Sequence, residues 1–283
     1  MAAKTVVVAA FSLSFAFGQG EKPVIEIVTD ADGNVIERKG PSGETPGTRY
    51  VDLDPFITAT REATAEFTQR LPDFLCEQLT TRSSDRVTAE VLYVDGRESY
   101  RNLKINGKAP KGNSPAATGT WSTGEYGTMA KDVFSAATAA RFEHPRDDRI
   151  NNGPARSYSY KVARANSHWR VDASGQVLYP AYEGTVWIEP AEHRVLRLEM
   201  IGREIPKDFP FDSVEMTVDY GVVKIGSGKY LLPTVAECLA CRRGTNECTR
   251  NRTIFRNYRK FTAESTISTT DSNITFDEEK PER

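Results

Sequence analysis

A chain of 283 residues, 39% of them hydrophobic, is long enough to bury a sizeable core as one large domain or two small ones. Its formal net charge is -2, from 37 Lys and Arg against 39 Asp and Glu, so it carries neither a basic footprint for nucleic acid nor a large acidic imbalance. Nucleic acid is therefore not an expected partner.

Residues 1–18, MAAKTVVVAAFSLSFAFG, hold one lysine followed by an apolar run and small residues at Ala16 and Gly18. The run is about 12 residues, short of the roughly 20 that span a bilayer, so it reads as a secretory signal peptide cleaved near Gly18. That predicts a periplasmic or secreted protein beginning at Gln19, and no later segment is apolar enough to be a transmembrane helix. Residues 19–50 read as an extended or partly disordered lead-in with one strand-like run, Val24–Val28, before Asp30-Ala-Asp-Gly-Asn34. The Asp-x-Asp-Gly start resembles a calcium loop. Val35, Glu37 and Lys39 do not continue the ligand pattern, so a hairpin turn is the expectation.

The folded domain is expected over 51–269, with a disordered tail over 270–283. Asp54-Pro55 is a capping aspartate with proline at the first helical position, and Phe56, Thr60, Ala63, Phe67 and Leu71 follow at helical spacing until Pro72. Ser122-Thr-Gly-Glu125 matches a capping box and announces a second helix, with Met129, Val133, Phe134 and Ala137 as its apolar stripe. Most of the rest alternates as strand: 87–94, 97–105, 157–162, 168–171, 185–188, 194–201, 214–223, 229–236 and 249–256, with tight turns at Asp95-Gly96 and Asn106-Gly107. Residues 107–120 and 143–156 read as polar insertions. About ten strands at short spacing imply an α+β, mainly β fold: one antiparallel sheet that must curl or close.

The four cysteines, Cys76, Cys238, Cys241 and Cys248, are an even set. In an oxidising compartment they favour disulfides. Cys241 and Cys248 flank Arg-Arg-Gly-Thr-Asn-Glu, a turn that lets two sulfurs meet across a hairpin neck, and Cys76 with Cys238 would then form the second bridge. A zinc site and a redox Cys-x-x-Cys remain as alternatives. The spacing suits zinc poorly, and the motif follows a strand instead of opening a helix.

No dinucleotide fingerprint, P-loop, nucleophile elbow or His-Glu-x-x-His is present, and no cofactor is expected. The histidines at 144, 168 and 193 are too scattered to read as a metal set. The most charged hairpin, Tyr182 to Met200, could supply the paired acids of a glycosidase. Glu189 and Glu192 bracket the turn at Pro190-Ala191, however, and Glu183 and Glu199 read as solvated cross-strand partners of Arg194 or Arg197. The apolar positions carry more information: Leu196, Leu198 and Met200 share one face, Val195, Arg197 and Glu199 the other, while Val186 and Ile188 oppose Thr185 and Trp187. Apolar groups on both faces call for a cover or a ligand.

The sequence Tyr182-x-Gly-x-Val-Trp-Ile-Glu-Pro190, a short turn and Arg194-Val-Leu-Arg-Leu-Glu199 resembles a hairpin of the bacterial outer-membrane lipoprotein carrier and sorting family. Phe255-Arg-Asn-Tyr-Arg-Lys-Phe261 is similar to a late strand of the same family. The resemblance is specific over about 180–262 and architectural over 51–180. It implies a strongly curved sheet, an incomplete barrel with helices over its concave side, and a non-enzymatic role in holding a lipid, an acyl chain or another apolar ligand. Trp187, Leu196, Leu198 and Met200 are the candidate ligand-lining residues. Two other readings stand beside it: an envelope protein-interaction or sensing module using a sheet edge or the aromatics Tyr158, Tyr160 and Trp169, and a hydrolase whose site is not visible in sequence.

Overall fold

The computed structural model describes residues 26–29, 35–39, 54–82, 85–110, 125–126, 128–173 and 175–261. The expected signal peptide, most of the lead-in, the 270–283 tail and Ser122, Thr123 and Gly124 of the capping box lie outside these residues. β1 (Glu26–Thr29) and β2 (Val35–Lys39) pair antiparallel, as the turn at 30–34 predicts.

Asp54 starts the first helix, α1 (Pro55–Gln69), by accepting a hydrogen bond from the Phe56 amide at 2.8 Å, with Pro55 in the first turn. Twelve further strands follow, with α2 (Thr128–Val133) between the third and fourth of them. In order they are β3 (Phe74–Arg82), β4 (Asp85–Val94), β5 (Arg97–Ile105), β6 (Arg141–Ile150), β7 (Gly153–Val162), β8 (Val171–Ala173), β9 (Gln176–Leu178), β10 (Ala181–Ile188), β11 (Val195–Arg203), β12 (Phe211–Ile225), β13 (Gly228–Arg242) and β14 (Cys248–Lys260). β8 and β9 pair only with each other. The other ten from β3 onward form one antiparallel sheet in the order β5-β4-β3-β14-β13-β12-β11-β10-β7-β6, open at β5 and β6.

The sheet is curved, and its aromatic contacts require it. β4 and β6 lie eight spacings apart, about 38 Å along a flat sheet at roughly 4.8 Å per strand. Tyr126 packs against Tyr93 of β4, while Phe134 stacks on Phe142 of β6 with ring centroids 4.9 Å apart. Those two residues are separated mainly by α2, which at about 1.5 Å per helical residue holds their backbones within roughly 20 Å. The sheet must therefore bend its two ends toward the helices, which lie over the concave face. One continuous core joins Ile57 of α1, Ala130 and Val133 of α2, and inward residues of every main-sheet strand except β5. The expected mainly β, incompletely closed fold is thus the fold observed.

Both open edges are guarded against further pairing. β6 carries a run of charges, Pro145 and a bulge at His144 (φ 55°), and β5 carries Arg97, Arg101 and a kink at Asn102 (φ 54°).

Several sequence expectations change. β3 and β6 were not among the predicted strands, and the stretch read as a polar insertion at 143–156 is the β6–β7 hairpin. Its turn, Asn151-Asn152, has φ of 49° and 64°, the left-handed pair that such two-residue turns need. His168 to Arg170 is irregular, and the strand begins only at Val171. Cys241 and Cys248 are bonded, but Cys76 and Cys238 are free thiols. β14 lies between their strands. Cys238 is level with Asn251, which is level with Arg82, six residues along β3 from Cys76 or about 20 Å. A bridge needs Cα atoms within about 7 Å.

Gly184 of β10 lies where the sheet is tightest. A methyl group there would run into the backbone carbonyl of Glu199 on β11. The phenol of Tyr160, which is level with Gly184 on β7, reaches across the bare position to donate to that same carbonyl at 2.6 Å. Gly184→Ala is expected to destabilise the fold by about 3 kcal/mol, because rigid backbone cannot yield as a side chain would. Urea unfolding of the variant measures it, and an unchanged midpoint would refute the packing described.

Candidate functional site

The Tyr182–Met200 hairpin divides its residues between the two sides of the sheet. Val186, Ile188, Leu198 and Met200 point into the core, each at most 4% exposed. Trp187 faces the opposite, outer side, where its indole donates to Asp148 at 2.8 Å and Arg197 lies over its ring at 5.6 Å. The backbone amide of Arg149 and the Trp187 indole together hold the Asp148 carboxyl below its ordinary range. Trp187 and the pair Leu198 and Met200 therefore do not line a common space. A bulge pairs Ile188 with Val195 after Trp187 with Arg197. It turns Val195 inward and leaves Leu196 half-buried at the bulge, so strict alternation fails at that one residue.

The glutamates of the hairpin are turn and rim charges. Glu189 accepts from the amides of Ala191 and Glu192, Glu192 pairs with Arg194 at 2.8 Å, Glu183 with Arg203, and Glu199 with Arg197. The partner of Glu183 is thus Arg203, which pattern reading did not propose. Tyr158 and Tyr160, expected to form part of an aromatic surface, are each 1% exposed and face the core. Trp169 packs edge-on against buried Tyr182.

The candidate site is the space beneath α1. Its N-terminal end is clamped: Asp54 accepts from the Tyr158 hydroxyl at 2.8 Å, and Phe56 packs between Tyr158 and His193 with Arg156 over its ring. The C-terminal half is seated differently. Its underside presents Ala63, Thr64, Phe67 and Thr68 over Ala130, Val195, Tyr220 and Leu231, and the small side chains leave a gap of about 30 Å³. That is room for roughly one water. Arg194 borders the gap with its guanidinium on Glu192. Besides Arg194 and the two threonines the lining is apolar or aromatic, and the hydroxyl of Tyr220 is buried with no hydrogen-bond partner among the described residues. Burial raises the Tyr220 phenol well above its ordinary value.

The helix stripe expected from sequence included Ala63 and Phe67. The most buried positions are Ile57, Thr60 and Thr64, so Thr60 keeps its expected place while a small rotation brings Ile57 and Thr64 inward. Thr60 satisfies its hydroxyl on the Phe56 carbonyl at 2.8 Å. Tyr220 and Leu231 were legible only as strand residues, because alternation separates two faces without saying which is concave.

A second polar cluster sits behind α2. Asp132 accepts from Thr138 at 3.1 Å and lies 2.7 Å from His168 Nδ1, with the Tyr182 hydroxyl at 3.5 Å. A carboxylate orienting an imidazole is two-thirds of a nucleophilic triad. The hydroxyl of Ser135, though, bonds to Thr138, and the Thr138 hydroxyl meets His168 at 3.4 Å on Nδ1, the same nitrogen that faces Asp132, whereas a nucleophile would sit on the opposite nitrogen. The cluster reads as a tie between α2, the 164–170 segment and β10. No group of three or more metal-ligating side chains occurs among the described residues.

Burial pushes the Cys76 thiol up from 9.0 to about 12, partly opposed by its contact with the Tyr126 hydroxyl at 3.1 Å, and burial likewise pushes Cys238 up to about 12. Neither is a redox or metal-binding thiolate near neutral pH.

Three outcomes follow from these groups. A thiol whose folded pKa is raised stabilises fully below its unfolded value and loses that contribution as pH rises. Stability should hold to about pH 9 and fall toward pH 12, and Cys76→Ala with Cys238→Ala should flatten part of that fall in denaturant melts taken across the pH range. Replacing Cys241 and Cys248 by serine should cost about 2.5 kcal/mol, the chain-entropy value for so short a loop. Tyr220→Phe should raise the stability of the ligand-free protein by about 1 kcal/mol, since it removes a buried hydroxyl with nothing to bond. A lower melting temperature for Tyr220→Phe would contradict the placement of that hydroxyl.

No protein-family model matches this sequence, and a comparison with curated proteins finds no match.

Proposed function

We propose that this protein is an exported, non-enzymatic binding protein that holds an acyl chain, a lipid or another apolar ligand between α1 and the concave face of the sheet. The observation that carries the reading is the underside of α1. Its C-terminal half sets the small side chains Ala63, Thr64 and Thr68 beside Phe67 over Val195 and Leu231, and so leaves a gap that close packing would fill. Its N-terminal end is pinned through Asp54 and Phe56. The free-state gap admits one water, so a ligand enters by lifting the C-terminal half of α1 about that pinned end. Each methylene then removed from water contributes about 0.8 kcal/mol against the cost of lifting the helix. Tyr220 lines the gap, and once α1 lifts its hydroxyl would offer one hydrogen bond to a polar group of the ligand.

Support also comes from the resemblance of the β10–β11 hairpin and the β14 strand to the lipoprotein-carrier family, and from the signal-peptide pattern of residues 1–18. The partner-binding alternative loses two of its three proposed surface aromatics, since Tyr158 and Tyr160 are buried.

The test is ligand uptake by the chain beginning at Gln19. A fluorescent fatty-acid probe should bind saturably, and Ala63→Phe, which fills the gap from the helix side, should weaken it about tenfold while the far-ultraviolet spectrum stays unchanged. Absence of both co-purifying lipid in native mass spectrometry and probe uptake would remove the reading.

A further inference from the structure

At the end of the sheet remote from α1's pinned end of the hairpin wall, the 204–210 connection meets the disulfide-closed β13–β14 turn. Phe209 anchors the connection: it is 3% exposed and packs with Ala173 and Leu178 of the β8–β9 hairpin. Across from it the Cys241–Cys248 bond closes the turn that carries Arg242 and Arg243. The two segments are tied by the Arg243 amide, which donates to the Pro210 carbonyl at 2.9 Å. Between them lies an open bowl of about 440 Å³ lined by Lys207, Asp208, Pro210, Arg242 and Arg243.

The chemistry of Arg243 is unusual for a surface arginine. Its Nε donates to the Phe209 carbonyl, and its Nη2 donates to the carbonyls of Pro206 and Phe211, each at 3.0 Å. A guanidinium has five N–H donors, and these bonds use three, leaving the two on Nη1. No described carboxylate lies within ion-pair distance of it, whereas most arginines of the sheet have one. The loop carbonyls thus fix the orientation of the fork without neutralising its charge. On the lip, Lys207 makes no ion pair with a described residue, and Arg242 meets Glu247 only at 4.0 Å. Three cations face one lining carboxylate, Asp208.

We propose that this bowl is an anion site that takes a phosphate group, either free or carried on a lipid headgroup. A fixed guanidinium edge flanked by two mobile cations matches a tetrahedral dianion, whose several oxygens accept from different directions. A single carboxylate would leave one of the three cations unmatched. The covalently closed turn and the anchored Phe209 keep the site in place before the ligand arrives, which lowers the ordering cost of binding. The site does not depend on the apolar-ligand reading, because it shares no residue with the gap beneath α1.

The test uses the full chain in two arms. In the first, inorganic phosphate is titrated against chloride at constant ionic strength while the backbone amide resonances of Lys207, Arg243 and Gly244 are followed. In the second, the protein is pelleted with phosphatidylcholine vesicles with or without phosphatidylglycerol. Saturable amide shifts without vesicle binding assign a free phosphate, and phosphatidylglycerol-dependent pelleting that phosphate reverses assigns a headgroup. Lys207→Ala with Arg242→Ala removes only exposed side chains, so the fold should persist, and affinity in whichever arm responds should fall about tenfold. Arg243→Lys should weaken binding as well, but its loss of loop bonds is separated by a melting curve, which is why the double variant decides. No saturable shift and no lipid-dependent pelleting, or an unchanged affinity in the folded double variant, overturns the proposal.

Discussion

Ten strands present one broad apolar face, and α1 and α2, the helices among the described residues, are too short to cover it if it were flat. Bending resolves the mismatch. Wrapping of the sheet brings Tyr93, Phe142 and Tyr158 within reach of Tyr126, Phe134 and Phe56, and one core spans strands that lie far apart in the sheet order. Close-packed rings and pinned phenols then set where α1 rests. The gap, the pinned helix end and the buried thiols are all consequences of that wrapping.

The cover is uneven, and the unevenness carries the functional reading. At its start α1 is held by a charge-assisted bond from Tyr158 to Asp54 and by the ring of His193 against Phe56. Farther along, small side chains beside Phe67 leave a gap, and the Tyr220 hydroxyl has no partner among the described residues. A helix secured at one end and loosely seated at the other is suited to pivot, because the free energy for local opening falls where few apolar contacts have to be broken.

The outer face of the sheet is governed by charge. Glu237 pairs with Arg250 and Arg252, Glu90 with Arg101 and Arg259, and Arg197 bridges Asp219 and Glu199. Such half-exposed pairs add little stability individually, but they keep a wide sheet soluble and discourage stacking of its outer surface. Against that pattern of paired charges the bowl around Arg243 stands apart, since Arg243 bonds to backbone carbonyls and Lys207 pairs with no described carboxylate.

Much of the fold was legible in local sequence. Asp54-Pro55 and Pro72 bounded α1, Asp95-Gly96 and Asn106-Gly107 set two left-handed turns, and alternation separated Val186 and Ile188 from Trp187. These succeed because capping, turn conformation and the two-residue strand period are short-range properties. The charged edge strand β6 was not recognised, although Asn151-Asn152 offered a signal, because edge strands carry charge where alternation would expect apolar residues, and β3, between β4 and β14, was missed because it is buried on both faces and does not alternate. Which cysteines pair was half decided by sequence: Cys241 and Cys248 are seven positions apart and face each other across a hairpin neck, while the separation of Cys76 from Cys238 by β14 depends on strand order. Strand order, the concave face and the bulge that turns Val195 inward are set by contacts between residues distant in the chain. For that reason the sequence determined the elements and their amphipathic faces, and only the tertiary structure decided that Trp187 points away from Leu198 and Met200, that α1 covers a small gap beside Tyr220, and that Arg243 is held by backbone carbonyls with no ion pair to a described carboxylate.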